Sequence, residues 1–364
     1  MSAVRVVGSS KPETLAAANP HVTVEAEYGD VCVPGSLLTM AHHGPRAGGK
    51  CPAAYTAADV RQAFVAEVHA YDGTDAMIAV DNTPSELVVG VSHVDLDTLG
   101  GVLAAAEAAG WLQKPTGPVA AAFWALAEWV DLNGPHRIEA GRPAARRAAS
   151  MAGPDRGDAP VERVVDEAFD AIRAFWAWSQ ANRGPRFGAE LTDVTDWVRA
   201  ASTMFDDLFS TNRRYALLEA GRAFAKAEAA LRERSLVERR GAIVLRSAPT
   251  FINHLYDDAP GAAVVGFNET TGAVTVSFAD GAASPISAIE LVQALWGPLA
   301  GGHHGIAGSP RVDRLTLDDA RVAFEAVCRR ALVAVCGACG LRLGGAGLPA
   351  YDCGCGADIY EVTA

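Results

Sequence analysis

Three short segments gather side chains able to bind metals or anions. In "VSHVDLDTLGG" (Val91–Gly101), His93, Asp95 and Asp97 alternate behind an apolar run. If the segment stays extended, the alternation sets all three on one side. Imidazole and carboxylate donors on one side suit manganese, magnesium, iron or zinc. Gly100 and Gly101 then let a following helix start close to the site. The competing reading is that Asp95 and Asp97 cap that helix while His93 packs. In "MAHHGPR" (Met40–Arg46), His42 and His43 again follow an apolar run. They face opposite ways in a strand but converge in a turn. The alternative is one packed and one exposed histidine. Asp131 and His136 in "WVDLNGPH" offer a further carboxylate and imidazole, beside the plainer reading of a helix ended by Asn133-Gly134-Pro135.

"GGHHGIAGSPR" (Gly301–Arg311) carries a different chemistry. Its glycines 301, 302, 305 and 308 permit close backbone approach and positive φ. A loop of this kind can turn several N–H groups toward an anion. Arg311 adds a bidentate phosphate contact, and His303 or His304 a hydrogen bond to a phosphate oxygen or leaving group. The alternative is a flexible hairpin loop. At the end of the chain, Cys336 and Cys339 in "CGAC" precede Cys353 and Cys355 in "CGC" by 13 residues. Four thiolates at that spacing predict a structural zinc site of zinc-ribbon type. Cys32, Cys51 and Cys328 have no evident partner spacing.

These segments need elements to hold them. Residues 22–41 alternate around turn signals at Gly29-Asp30 and Pro34-Gly35 and predict two strands of a hairpin. "DVRQAFVAEVHAYD" (59–72) has helical spacing. "AMIAVDN" and "ELVVGVSH" resemble buried parallel strands that deliver polar side chains to the carboxyl edge of a sheet, and "TLGGVLAAAEAAGW" predicts the helix that follows. Between Gly117 and Arg240 four helical patterns appear, with the aromatics at 169, 175, 176 and 178 in the core. "GRPAARRAASMAGPDRGDAP" (141–160) is expected to be a surface loop or linker. After Gly241 come a strand, a hairpin turning at Thr271-Gly272, a helix, the glycine loop, and a last helix with Thr316 as N-cap.

The 364 residues suffice for two or three domains, and a net charge of −12 argues against a surface for duplex DNA. No apolar run is long enough for a membrane span, and the first residues lack a secretory signal, so the cytoplasm is the expected compartment.

Residues 260–330 resemble the DHH-associated domain of the DHH phosphoesterases, through the hairpin, helix, loop and closing helix just described. In "GGHHGIAG", Gly301, Gly302, His303 or His304, Ala307 and Gly308 match that family's phosphate loop. "SHVDLDTLGGVLA" is similar to the first motif of its manganese-binding catalytic domain. The Asp-His-His of the name has no counterpart after that motif; Ala41-His42-His43 stands before it, and Asp131 and His136 stand after it. The resemblance implies an α/β fold. Residues 1–240 would be a parallel-sheet metal-binding domain with a helical insertion and 241–331 a smaller α+β phosphate-binding domain; apart from the resemblance, the cysteine pairs make 332–364 a zinc-ribbon-like tail.

It further implies a phosphoesterase using a divalent metal, manganese first, to activate water. His93, Asp95 and Asp97 would be catalytic, with His42, His43, Asp131 and His136 as further ligands. Gly301, Gly302, His303, His304, Gly308 and Arg311 would hold a small phosphate ester or short nucleotide in an interdomain cleft. The alternatives are a nucleotide-binding or scaffolding module of the same fold, and a metalloenzyme of unrelated chemistry.

Overall fold

The computed structural model describes residues 3–28, 31–42, 49–69, 77–81, 84–153, 160–210, 213–257, 259, 261–279, 284, 286–302, 304–310, 314–331, 334–335 and 342–343. It is a mixed α/β fold that divides into two units, residues 1–133 with 137–225 and residues 134–136 with 226–364.

The elements of the first unit are, in order, β1 (Ala3–Gly8), α1 (Pro12–Ala17), β2 (Val22–Val24), β3 (Glu27–Tyr28), β4 (Val31–Cys32), β5 (Leu38–Met40), α2 (Ala57–Phe64), β6 (Val65–His69), β7 (Met77–Asp81), β8 (Glu86–Val91), α3 (Leu96–Ala108), α4 (Pro118–Asn133), α5 (Arg142–Met151), α6 (Val161–Ala181), β9 (Thr192–Asp193) and α7 (Thr195–Ser210). Helix α8 (Arg214–Arg234) carries the chain into the second unit.

The main sheet has the order β5-β2-β8-β1-β9, and only the short edge strand β9 runs antiparallel. Both faces are buried, as in a doubly covered parallel sheet: Val22, Val24, Met40, Val89 and Val91 are fully buried on one face, and on the other Val7 and Val88 are buried beside Thr23 and Thr39, which hydrogen-bond to each other at 3.1 Å. In the register, Val24 lies beside both Met40 and Val91, so three neighbouring strands end together. Helices α3, α4, α6 and α7 complete the core, where Phe123 and Phe175 each pack a ring 5.5 Å from that of Phe205. Phe169 and Phe175 are buried, and Trp176 and Trp178 pack against the same core, as expected.

Several local expectations need correction. Residues 22–41 are not one hairpin. β2 and β5 are parallel neighbours in the main sheet, and the hairpin is the small β3–β4 pair between them. That ladder is two residues long, while Val22, Val24 and Met40 of the flanking strands go to the core. The helical pattern at 59–72 stops at Phe64, and Val65–His69 pairs antiparallel with Met77–Asp81 in a separate two-stranded sheet. "AMIAVDN" therefore does not join the parallel sheet. The expected linker at 141–160 is helix α5 over Arg142–Met151. Its Ala145 and Ala149, one turn apart, are buried, and Pro143 sits in the first turn, where its missing N–H costs nothing.

The second unit contains β10 (Leu236–Arg240), β11 (Ile243–Ala248), β12 (Ala263–Asn268), β13 (Ala273–Phe278), α9 (Ala288–Trp296), β14 (Gly301–Gly302), β15 (Ile306–Gly308) and α10 (Leu317–Ala331). Strands β16 (Ala334–Val335) and β17 (Arg342–Leu343) form a further short pair. The six-stranded sheet has the order β10-β11-β12-β13-β15-β14. The β12–β13 hairpin turns at Gly272 with φ 71°, and α10 opens with a capping box, Thr316 Oγ1 accepting from Asp319 N while Asp319 Oδ2 accepts from Thr316 N.

Candidate metal centre

Parallel strands that end in register place the residues after them side by side. β2 runs into Glu25, β5 into Ala41 and His42, and β8 into Ser92 and His93. Glu25 adopts φ 47°, a left-handed conformation that costs a side-chain-bearing residue about 1 kcal/mol or more. It is held there by its N–H to the Met40 carbonyl, 2.9 Å, and by the Ser92 hydroxyl donating to its own carbonyl. Backbone strain of this kind clusters at functional sites. Glu25 is 2% exposed, and its carboxylate lies 3.2 Å from Nδ1 of His42.

That contact leaves Nε2 of His42 facing Asp131, 3.1 Å away. Asp131 lies in the last turn of α4, where the negative end of the helix dipole disfavours a carboxylate. Cys51, 3% exposed, and Asp97, 2% exposed, complete a group of four. One donor atom from each of His42, Cys51, Asp97 and Asp131 lies within 4.8 Å of all the others.

The backbone around Cys51 explains how the group is held. Residues Pro52–Ala54 form a turn of 3-10 helix. The N–H of Ala53 donates to Oδ1 of Asp97 at 2.9 Å, and Lys114 Nζ donates to the carbonyls of Ala53 and Tyr55 at 2.6 and 2.8 Å. The turn is thus tied to Asp97 on one side and to the Lys114 amino group on the other, whose pKa burial pushes down to about 7. Lys114 also stands 4.8 Å over the Trp124 ring and helps line a cavity of about 660 Å³ with Tyr55 and Trp124. Gly100 and Gly101 serve this turn: a Cβ at Gly100 would come within 2.7 Å of Ala53 Cα, and one at Gly101 within 2.9 Å of Pro52 Cβ.

The electrostatics ask for a cation. Burial, and then the nearby charges of Asp131, Asp95 and Glu25, push Asp97 up to about 8. Burial and the charge of Asp95 push Asp131 up to about 6, against the pull of His42 and His93. Burial raises Glu25, and burial with Asp97 and Asp131 raises the Cys51 thiol. Oδ2 of Asp97 is buried without a hydrogen-bond partner. A buried carboxylate with an unpartnered oxygen, grouped with three other donors, is what a metal site looks like from its ligands, so these residues fit a divalent cation.

His93, Asp95 and Asp97 do not share one extended face. α3 begins at Leu96, and Asp95 is its N-cap, accepting from Thr98 N at 2.8 Å. His93 Nε2 and Asp95 Oδ2, both about half exposed, pair at 3.4 Å. Desolvation opposes both charges, but the mutual hydrogen bond and attraction win, raising His93 and lowering Asp95. Asp97, one residue into the helix, turns instead into the buried group.

The other sequence candidates lie elsewhere. The ring of His136 packs edge-on against Tyr256, centroids 4.5 Å apart, and His136 is not in the group of four. His43, His303, Arg311, Cys336, Cys339, Cys353 and Cys355 lie outside the described residues. In the second unit, Gly301–Gly302 and Ile306–Gly308 pair as a tight hairpin at the sheet edge. Gly302 takes φ 144°, and a Cβ there would meet Ala307 Cα at 2.4 Å, so only glycine fits. His304 uses its ring on the Ser284 carbonyl, 2.9 Å, and its own carbonyl on the N–H of Ala288 at the start of α9, 2.7 Å.

Cys51 and Glu25 escaped the sequence reading. Eight residues separate His42 from Cys51 and 45 separate Cys51 from Asp97, spacings that match no local motif. The one signal for Glu25 was an acid directly after a β-branched apolar strand.

No protein-family model matches the sequence, and no curated protein does. Two solved structures are similar to parts of it. RecJ from Thermus thermophilus in complex with Mn2+ is 16% identical over 63% of this chain and 35% of its own, with a TM-score of 0.32. An exonuclease RecJ bound to manganese is 17% identical over 68% of this chain and 66% of its own, with a TM-score of 0.31. The chain therefore spans little more than a third of the first and just under two thirds of the second.

Proposed function

We propose that the chain is a metal-dependent phosphoesterase, a divergent relative of the DHH enzymes, acting on a small phosphate ester or short nucleotide. The observation that carries this reading is the grouping of His42, Cys51, Asp97 and Asp131 at the carboxyl edge of a parallel sheet, together with an Asp97 oxygen that is buried without a hydrogen-bond partner. A divalent cation held by these four residues would supply Lewis acidity toward a phosphoryl oxygen and activate water. Glu25 fixes the ring of His42 by taking its Nδ1 side, as carboxylates commonly do for metal-binding histidines. His93, half exposed and kept toward its protonated form by Asp95, would give a proton to a departing oxygen.

The glycine hairpin Gly301–Gly308, with His303, His304 and Arg311, is assigned the substrate phosphate, supported by the family-like loop sequence. Cys336, Cys339, Cys353 and Cys355 are assigned a structural zinc. The short β16–β17 ladder flanks the first cysteine pair in sequence. Among the described residues no helix is long and apolar enough to cross a membrane.

The test is hydrolysis of simple phosphodiesters and dinucleotides by wild type and Asp97→Ala, each metal-stripped and then resupplied with divalent ions. The reading expects metal-dependent hydrolysis by wild type alone. Metal binding without hydrolysis of any phosphate ester would favour the nucleotide-binding module instead.

A further inference from the structure

We infer that Cys51 makes this centre a thiophilic one, selecting zinc over manganese. The inference rests on the reading of His42, Cys51, Asp97 and Asp131 as a metal centre, and adds the class of ion it takes.

The donor set is one sulfur, one imidazole and two carboxylates. Manganese and magnesium favour oxygen donors, whereas a thiolate favours zinc. For a fixed set of ligands the order of divalent affinities also places zinc well above manganese. A single sulfur among hard donors therefore shifts the preference in the same direction as the intrinsic order.

A buried cysteine is often only a small apolar filler. Cys51 differs in what surrounds it and what holds it. Its neighbours in the cluster are ionisable, and one oxygen of the buried Asp97 carboxylate has no hydrogen-bond partner. Its position is set by the turn that follows it. That turn is fixed to Asp97 through the Ala53 N–H, fixed by Lys114 through two carbonyls, and pressed onto Gly100 and Gly101. Sulfur and carboxylate are thereby positioned by one rigid segment. Donors within 4.8 Å of one another need only small side-chain shifts to share an ion with bonds of about 2.0–2.3 Å. As the sulfur–metal bond forms, the thiol proton leaves to solvent.

The test uses the full chain in a Cys336→Ser, Cys353→Ser background, so that metal at the tail does not intrude. Metal-stripped protein is titrated with zinc, manganese and cobalt, the last as a coloured stand-in for zinc. Expected are a sulfur-to-cobalt charge-transfer band, and zinc binding about 100-fold or more tighter than manganese. In Cys51→Ser the band should vanish and the zinc preference fall about tenfold or more. Cys51→Asp, with a third carboxylate, should take manganese more readily than wild type does. Should Cys51→Ser fail to fold, alkylation of the parent decides: zinc, but not manganese at equal concentration, should shield Cys51.

A retained band, with an unchanged zinc-to-manganese ratio in Cys51→Ser, would overturn the inference while leaving the centre standing. Equal alkylation of Cys51 with and without saturating zinc would also overturn it. If no ion binds in a manner that Asp97→Asn abolishes, the centre itself is wrong and the inference goes with it.

Discussion

Replacing Gly100 by alanine tests how the centre is built without touching a ligand. The new Cβ would stand 2.7 Å from Ala53 Cα, 3.0 Å from Ala53 Cβ and 3.1 Å from Trp124 Cζ3. An ordinary contact begins at 3.4 Å, so the backbone of the 3-10 turn must retreat by about 0.7 Å, the difference of 3.4 and 2.7. If the retreat fell wholly along the 2.9 Å bond from Ala53 N to Asp97 Oδ1, that bond would stretch to about 3.6 Å, past hydrogen-bonding length. Alanine in a helix interior gains about 0.5–1 kcal/mol over glycine, but overpacking costs about 1–3 and loss of the hydrogen bond to the Asp97 carboxyl about 0.5–1.5. The net expectation is a loss of about 2 kcal/mol in urea unfolding, with metal affinity about tenfold weaker because Cys51 and Asp97 no longer register. Gly188→Ala is the control, since nothing lies within 4 Å of a Cβ there. A Gly100→Ala protein as stable as wild type, with unchanged metal affinity, would refute the claim that this turn positions the ligands.

Further expectations follow from the same residues. In the metal-free protein Asp97 titrates at about 8 and Asp131 at about 6, against an unfolded value near about 3.9. Raised carboxylates stabilise most below their unfolded value, and that contribution is lost as pH rises through the folded ones. The urea midpoint of metal-free protein should therefore fall between about pH 4 and pH 8 through these two groups, and Asp97→Asn should flatten the fall. Saturating metal should remove it; a metal-free midpoint rising across that window in step with Asp97 would contradict the assignment. Lys114→Met strands the Ala53 and Tyr55 carbonyls and should cost about 1–3 kcal/mol in thermal or urea unfolding, with weakened metal binding. At the tail, Cys353→Ser should lose one zinc by elemental analysis, and equal zinc in both proteins would defeat the ribbon assignment.

Much of this architecture was readable where periodicity runs long. The helices α3, α4 and α6 to α10 and the strands β8 and β11 to β13 each carry one unbroken pattern. The failures sit where the pattern changes within a few residues. At Phe64–Val65 a helix passes directly into a strand, so the helical spacing of 59–72 misleads past its midpoint. The triplets Val22–Val24 and Leu38–Met40 are too short to show whether they run parallel, a fact set by their shared partner sheet. The site divides along the same line. His42, Asp97 and Asp131 announce themselves as polar residues ending apolar elements. Cys51 and Glu25 acquire meaning only when distant segments meet. The alternation of His93, Asp95 and Asp97 suggested one face, but Asp95 caps α3 and the helix rotates Asp97 inward.

The central claim is that His42, Cys51, Asp97 and Asp131 hold one divalent ion. Anomalous X-ray diffraction from crystals of the zinc-loaded chain, collected on either side of the metal absorption edge, tests it most directly. The account predicts an anomalous peak within bonding distance of His42 Nε2, Cys51 Sγ and the carboxylates of Asp97 and Asp131. A fully occupied peak elsewhere in the first unit, with these four side chains unchanged and unbound, would contradict it.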